Sequence, residues 1–418
     1  MSAPATRGVS INHAAQILRP PETGLLRLRH DRASELETEG GSVAVADGRI
    51  AAFATDATAQ IQIDASGCSV LPGFVDCHTH LPFAGWRAAE YEMKVMGVPY
   101  EQIARAGGGI RASARALSET GDRAILDQAR GLAGEMLATG TTSFEGKSGY
   151  GLSVAAEQRA LRLAVELAAV VPQTTTSTAL LAHAVPDGHD ADSWLALLDD
   201  QLDDILAAGR ATALDVYVES VAFTNEHLAH MGSLARRAGL DLRAHVEQFN
   251  PNRSVPVALE AGARSVDHLS RLHPDDIAPL ASAECAAVLL PGAEFLGSEH
   301  VPPARELADA GAICVLATDC NPGTSPITSM GVIVGLAVRR YGWSAREALL
   351  ASTLNAAWVL RRSEDTGSLE VGKRGDIVLL DGPIDQLAYR FARNPVVCVL
   401  IGGDIVYERP GSESRVGS

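Results

Sequence analysis

From about residue 70 to residue 362 the sequence alternates eight times between a short apolar run and a stretch that reads as helix. The runs are LPGFVDCHTH (71–80), TTSFEGK (141–147), TTTSTALLAHAV (174–185), ALDVYVE (213–219), LRAHVEQ (242–248), ARSVDHL (263–269), CAAVLLPG (285–292) and CVLATDC (314–320). Continuous apolar strands of this kind suit a parallel sheet covered on both faces. Between them, Leu161, Ala164, Val165 and Ala168 recur at helical spacing, with Arg159, Arg162 and Glu166 off the stripe. Ser344 and Glu347 form a capping box ahead of ALLASTLNAAWVL. Eight strand–helix repeats predict an α/β fold, a (β/α)8 barrel of the TIM type.

At 418 residues the chain is long for one compact unit, so a second, smaller one is expected. The two ends supply it. SVAVADGRIAAF (42–53) reads as a hairpin turning at Asp47-Gly48. GDIVLLDG (375–382) and VCVLIGGDIVYE (397–408) read as strands, the latter turning at Gly402-Gly403. Neither group buries much alone. Residues 1–69 and 363–418 are therefore expected to join as one small β-sandwich domain beside a catalytic barrel of residues 70–362.

Composition removes several classes of function. The formal net charge is −16 and no basic run occurs, which argues against nucleic acid as a partner. No stretch of apolar residues is long enough to span a membrane, and the N-terminal MSAPATRGVSINHAAQ lacks the pattern of a signal peptide. The six cysteines show no paired spacing and read as reduced, mostly buried thiols, which points to the cytoplasm.

In a (β/α)8 barrel, chemistry gathers at the C-terminal ends of the strands. Here those ends carry His78 and His80, then Glu145 and Lys147, His183, Glu219, His245 with Glu247 and Gln248, Asp267-His268, and Asp319 with Asn321, Gly323 and Thr324. Burying so many polar groups without partners is costly, and a metal ion is a partner. His78, His80, His245 and Asp319 form a set that suits Zn²⁺ or iron. Such an ion acidifies a water toward hydroxide, and Asp319 can bind through one oxygen and take the water's proton on the other.

The surroundings of these residues are recognisable. PGFVDCHTH, the histidine of strand five, the DH of strand six and the LATD of strand eight resemble the amidohydrolase superfamily. FAGWRAAEYE (83–92), ARAGGGI (104–110), KSGYGL (147–152), LAHAVP (181–186), HVEQ (245–248), VDHL (266–269), LLPGAEF (289–295) and LATDCNPGTSP (316–326) are similar, within it, to the imidazolonepropionase family. KSGYG and TDCNPGTSP are far more specific than the HxH pair. The resemblance implies metal-dependent hydrolysis of the ring amide C–N bond of 4-imidazolone-5-propionate, giving N-formimidoyl-L-glutamate in histidine degradation. Another cyclic-amide hydrolase or a deaminase, acting on a different small heterocyclic acid, is the alternative.

The resemblance also implies residue roles. His78, His80, His245 and Asp319 would hold one zinc or iron ion. Arg87, Tyr150 and His183 would clamp the substrate, Gln248 would read its ring, and Asn321, Gly323 and Thr324 would hold the acyclic product. The fork of Arg87 suits a carboxylate, although by itself Arg87 reads as a surface partner of Glu90. Glu247 shares the face of His245 if the strand is regular, and would pass a proton to the leaving nitrogen. His268 would polarise the carbonyl, and reads otherwise as a fifth ligand or a core histidine. None of the lysines, Lys94, Lys147 and Lys373, lies on strands three to five, so one metal is expected; Glu219 alone holds open a second. A homodimer is the family expectation. The chain departs from the family pattern at Gly146, at Lys94 and in FNPNRSVPVAL (249–259).

Overall fold

The computed structural model describes residues 8–54, 59–297, 300–412 and 415–417; the opening residues 1–7 of the N-terminal stretch lie outside them. The chain begins with β1 (Gly8–Arg19), β2 (Glu37–Ala46), β3 (Arg49–Ala54), β4 (Ile61–Asp64) and β5 (Cys68–Pro72). It then enters a run of eight parallel strands. These are β6 (Phe74–Asp76), β7 (Thr141–Lys147), β8 (Thr174–Ala182), β9 (Ala211–Tyr217), β10 (Asp241–Val246), β11 (Ala263–His268), β12 (Ala286–Leu289) and β13 (Ile313–Leu316), each paired with the next. Each of the eight expected runs contains one of these strands, although the first, LPGFVDCHTH, is split: Leu71 and Pro72 end β5 of the other sheet, and only Phe74–Asp76 enters the barrel.

The gap between β13 and β6 is bridged just past the strand ends. Asp319 N donates to His78 O at 3.0 Å and His80 N to Cys320 O at 2.9 Å, with Thr79 and Cys320 in a parallel bridge. Three of the four expected metal ligands thus sit in the seam that closes the ring, held by main-chain hydrogen bonds.

The C-terminal strands are β14 (Ile377–Asp381), β15 (Val396–Ile401), β16 (Asp404–Glu408) and β17 (Val416–Gly417). They return to the N-terminal ones in the order β16-β15-β14-β5-β1-β2-β3, with β4 on β1 and β17 on β4. Both ends of the chain therefore build one sheet. The crossing into the barrel falls at Gly73, where a Cβ would overlap the side chain of Thr142. The hairpin turns lie where expected, with Asp47-Gly48 and Gly402-Gly403 all at positive φ.

β14 shows why its sequence is apolar without alternation. Ile377 and Leu379 pack among Val43, Val45 and Ile50 of the terminal strands, whereas Val378 and Leu380 join the core shared with the barrel. The sheet is buried on both faces there. The helix Val154–Ala168 is turned slightly from expectation. Ala160, Leu161, Leu163, Ala164 and Leu167 are buried and Ala168 is exposed, because the side facing β8 is offset by one residue from the predicted stripe. Among the described residues no helix is long and apolar enough to cross a membrane.

Candidate active site

His78 and His80 follow β6, His245 lies in β10, His268 ends β11 and Asp319 follows β13; all five are buried. Ligand-type atoms of His78, His245 and His268 lie within 4.8 Å of one another, as do those of His78, His80 and Asp319. Asp319 Oδ1 is 3.5 Å from His78 Nε2 and 3.3 Å from His80 Nε2. His78 Nδ1 is 2.6 Å from Asp267 Oδ2, and His245 Nδ1 is 3.0 Å from Asp215 Oδ1. A carboxylate can only accept, so each Nδ1 donates to it and each Nε2 is the ring nitrogen turned toward the cluster.

Among the described residues neither His78 Nε2 nor His245 Nε2 has a hydrogen-bond partner. Burial holds His78 and His80 well below the usual imidazole range, in the neutral form that ligation requires. It also pushes the Asp319 carboxyl up, with His268 and His245 opposing it. Orphaned ring nitrogens converging on a buried carboxylate fit a divalent metal.

The two carboxylates behind the histidines are themselves held. Lys147 Nζ is 2.7 Å from Asp215 Oδ2 and 2.9 Å from Glu145 Oε2. Arg243 Nη2 is 3.0 Å from Asp267 Oδ2, while its Nη1 pairs with Glu145 Oε1. Glu145 therefore links both branches. Burial works against charge on Asp215, yet His245 and Lys147 outweigh it and keep its carboxyl well below the carboxylate range. Burial and Arg243 pull Lys147 down; Asp215 and Glu145 more than compensate, and its pKa is raised. Asp215 and Arg243 are the functional residues that sequence reasoning missed. Their signal was an inward charged residue two positions before Tyr217 and His245, on the same strand face.

A recess opens over the cluster. Arg87, Tyr150, His183, Gln248, Asn321 and Thr324 line it together with His80, His245, His268 and Asp319, and Ile110, Tyr217 and Phe249 form its apolar wall. His183 Nδ1 donates to Gly149 O at 3.0 Å, which leaves Nε2 to accept. Burial keeps this ring neutral too. Tyr150 is presented by a loop tied to buried Glu157, which accepts from the N–H groups of Gly149 (2.9 Å), Gly151 (2.6 Å) and Leu152 (3.2 Å). His268 faces the recess with its pKa lowered to about 3 by burial.

Comparison with known proteins gives this geometry its context. Residues 69–406 match the family model described as the amidohydrolase family. An imidazolonepropionase from Herpetosiphon aurantiacus is 39% identical over 382 residues, 87% of this chain and 89% of that protein. Another from a Geobacillus species is 36% identical over 416 residues, 96% of this chain and 98% of that protein. The chain belongs to the imidazolonepropionase branch of the amidohydrolase family. Among solved structures, an adenosine deaminase from Xanthomonas campestris with bound zinc superimposes with a TM-score of 0.69 at 18% identity, over 96% of this chain and 93% of that one, which shows a common fold.

Gly146, Lys94 and the segment after HVEQ each have a local role in the structure. A Cβ at Gly146 would sit 2.5 Å from Leu81 O, so the close approach of that carbonyl needs glycine. Asn250 and Asn252, from the unusual segment after HVEQ, hold Glu219: Asn250 N and Nδ2 donate at 3.1 and 2.8 Å, and Asn252 Nδ2 at 3.2 Å. Glu219 is thereby turned from the recess and bridges nothing in it. Lys94 Nζ donates to Gly323 O at 3.0 Å, bracing the TDCNPGTSP turn.

Two expectations need correction. Glu247 does not share the His245 face, because β10 ends at Val246 and Glu247 takes φ +54°. Its Oε1 accepts from Ser254 N at 2.6 Å, at the start of the helix Ser254–Glu260, and its carboxyl is pushed to about 7, chiefly by burial. It does not line the recess; Gln248 does. Gly323, expected to hold product with Asn321 and Thr324, is instead engaged within the protein and is not among the residues lining the recess. Gly323 N donates to Asn321 Oδ1 at 2.8 Å, its carbonyl takes Lys94, and its Cα face lies under Arg87. Asn321 and Thr324 reach the recess, and Gly323 supports them from below.

Proposed function

We propose that this chain opens the ring of 4-imidazolone-5-propionate with water, forming N-formimidoyl-L-glutamate in the breakdown of histidine. The observation that carries this reading is the meeting of Arg87, Tyr150, His183 and Gln248 in one recess over a metal-type cluster, in a chain whose relatives are named imidazolonepropionase. The alternative substrates are not favoured, since a carboxylate-reading arginine and a ring-reading amide stand together over the reacting centre.

His78, His80, His245 and Asp319 would hold one metal ion. Zinc and iron both accept three imidazoles and a carboxylate. When bound, the ion supplies Lewis acidity, lowering the pKa of water and polarising a carbonyl. Glu219, held by its two asparagines, supports one ion rather than two.

The protein's own groups account for the rest. Arg87 takes the propionate carboxylate and fixes the ring's distance from the cluster. Gln248, which can both donate and accept, reads the ring amide. Neutral His268 faces the reacting carbonyl and stabilises its oxygen as charge develops there. Asp319 Oδ1 points to the histidines, and Oδ2, which accepts from Thr324 Oγ1 at 3.3 Å, keeps a second lone pair that can hold a proton. Water's proton passes to Asp319, the water oxygen bonds to the ring carbonyl carbon, the ring C–N bond breaks, and the proton goes to the leaving nitrogen. With Glu247 turned toward Ser254, that return falls to Asp319.

Residues 70–362 are expected from the sequence to form the catalytic barrel and residues 1–69 and 363–418 the small β domain; since Cys68–Pro72 belongs to the terminal sheet, the first boundary moves to Gly73, with the barrel running from there to about residue 362. Six buried, unpaired cysteines support a reducing compartment such as the cytoplasm, and a homodimer follows from the family resemblance. The test is direct. Purified protein supplied with fresh 4-imidazolone-5-propionate should deplete its ultraviolet absorbance and yield N-formimidoyl-L-glutamate, and His78→Ala should abolish turnover and metal retention. Turnover by His78→Ala at wild-type rate would sink the ligand assignment.

A further inference from the structure

We infer that Glu90 is a positioning residue for Arg87, setting which edge of the guanidinium is left for the substrate carboxylate. This rests on the reading of Arg87 given above. Arg87 precedes the helix Ala88–Val95, and its N–H donates to Pro322 O at 2.7 Å, fixing the root of the side chain beside the Asn321–Thr324 turn. The guanidinium is then held on three sides. Nε lies 3.1 Å from Glu90 Oε2 in an ion pair whose N–H is not aligned for a hydrogen bond, and Nη1 donates to Ser113 Oγ. The guanidinium also lies against Gly323, where a Cβ would overlap its Nη2, Cζ and Nε atoms. Among the described residues Nη2 alone is left without a carboxylate or hydroxyl.

Glu90 also reaches beyond Arg87. Its Oε1 accepts from Gly109 N at 3.0 Å. Gly109, at φ +64° and ψ −139°, leads into the helix Ile110–Glu119. That helix carries Ser113 to Arg87 and Ile110 to the recess wall. One carboxylate thus ties the clamp to the glycine turn and to the wall of the pocket. A solvent-exposed pair would contribute little, but these side chains are only 8% and 13% exposed.

Charge and orientation predict opposite signs. An anion beside Arg87 weakens its pull on a substrate carboxylate, so if Glu90 acted by charge alone, neutralising it would tighten binding. If Glu90 acts by orientation, neutralising it loosens binding. The experiment uses full-length, metal-loaded protein, with 4-imidazolone-5-propionate and with an imidazolone lacking the carboxylate.

Glu90→Gln should raise KM for the acid by roughly fivefold to thirtyfold, the scale of a charge-assisted hydrogen bond partly lost. kcat should change much less, the carboxylate-free compound should respond as with wild type, and Glu90→Asp should recover part of the loss. Ser113→Ala tests the same geometry from the other side and should shift KM in the same direction. A KM for the acid that is unchanged or lower in Glu90→Gln overturns the inference, as does an equal loss on both compounds. Wild type that fails to open the acid overturns the functional reading first, and this inference with it.

Discussion

At the scale of single residues, the site depends on which nitrogen of each histidine carries a proton. Asp267 fixes this for His78 and Asp215 for His245, at 2.6 and 3.0 Å. Asp267→Asn keeps the shape and removes the charge that holds the Nδ1 proton. Metal affinity should fall roughly tenfold to a hundredfold, the usual effect of losing such an outer partner. Competition against a chelator measures this, and excess metal should restore turnover. Unchanged affinity would mean that Arg243 and Ser265, which also touch Asp267, are its only important partners. Gly323 gives a second residue-level prediction. Gly323→Ala places a methyl group against the Arg87 guanidinium. The variant should fold and keep its metal while KM for the acid rises, because the carboxylate clamp is displaced and the cluster is not. Loss of metal together with KM would show that the turn supports Asp319 as well.

Individual elements show what the sequence made legible. The eight strands were readable because parallel strands buried on both faces are continuous apolar runs, and the HxH, DH and TD residues fall at their ends. β1 was not read, although at twelve residues it is the longest strand. Its register against β2 shifts between Ile11 and Ala14 and again between Ala14 and Ile17, and His13 has φ +62°. Two irregularities destroy the period-2 alternation that a reader looks for. Glu247 failed for a related reason, since face-sharing at i and i+2 holds only while the strand continues. The network of Glu145, Lys147, Asp215, Arg243 and Asp267 was hidden because its pairings link strands far apart in sequence. The short 3-10 element His30–Glu35 supports a prediction of its own. The His30 ring is buried 4.2 Å from the Trp343 ring, neither nitrogen is paired among the described residues, and its pKa is lowered to about 3, chiefly by burial. The unfolded chain takes up this proton near pH 6.5 and the folded one only near 3. Stability from this group is complete above pH 6.5 and falls as pH drops from 6.5 toward 3, by up to about 1.4 kcal/mol per pH unit. His30→Phe should remove that part of the acid slope. Urea midpoints at pH 7, 5 and 4 measure it, and parallel curves for the two proteins would show that His30 contributes nothing to it.

For the whole molecule, the decisive fact is that the terminal sheet and the barrel share a core. Val378, Leu380, Val396 and Val399 of the C-terminal strands lie in one apolar cluster with Leu214, Val216, Leu242 and Ala244 of β9 and β10. β14 itself is central in the terminal sheet, between β5 and β15, and β5 leads into β6 through Gly73 alone. Opening either part exposes side chains of that shared cluster. Unfolding should therefore be a single transition in which hydrogen-exchange protection over 377–401 and 211–246 is lost at the same denaturant concentration. Metal gives the sharper form of this test. An ion that binds only the folded chain stabilises it by about 4 kcal/mol when free metal exceeds Kd a thousandfold. Every ligand proposed for it lies in or beside the barrel. If the two parts are coupled, stripping the metal with a chelator should lower the midpoint of the distant terminal sheet as much as that of β9 and β10, and reloading with zinc should restore both. A terminal sheet whose midpoint stays fixed while the barrel's falls would show that the shared core does not bind the two parts into one cooperative unit.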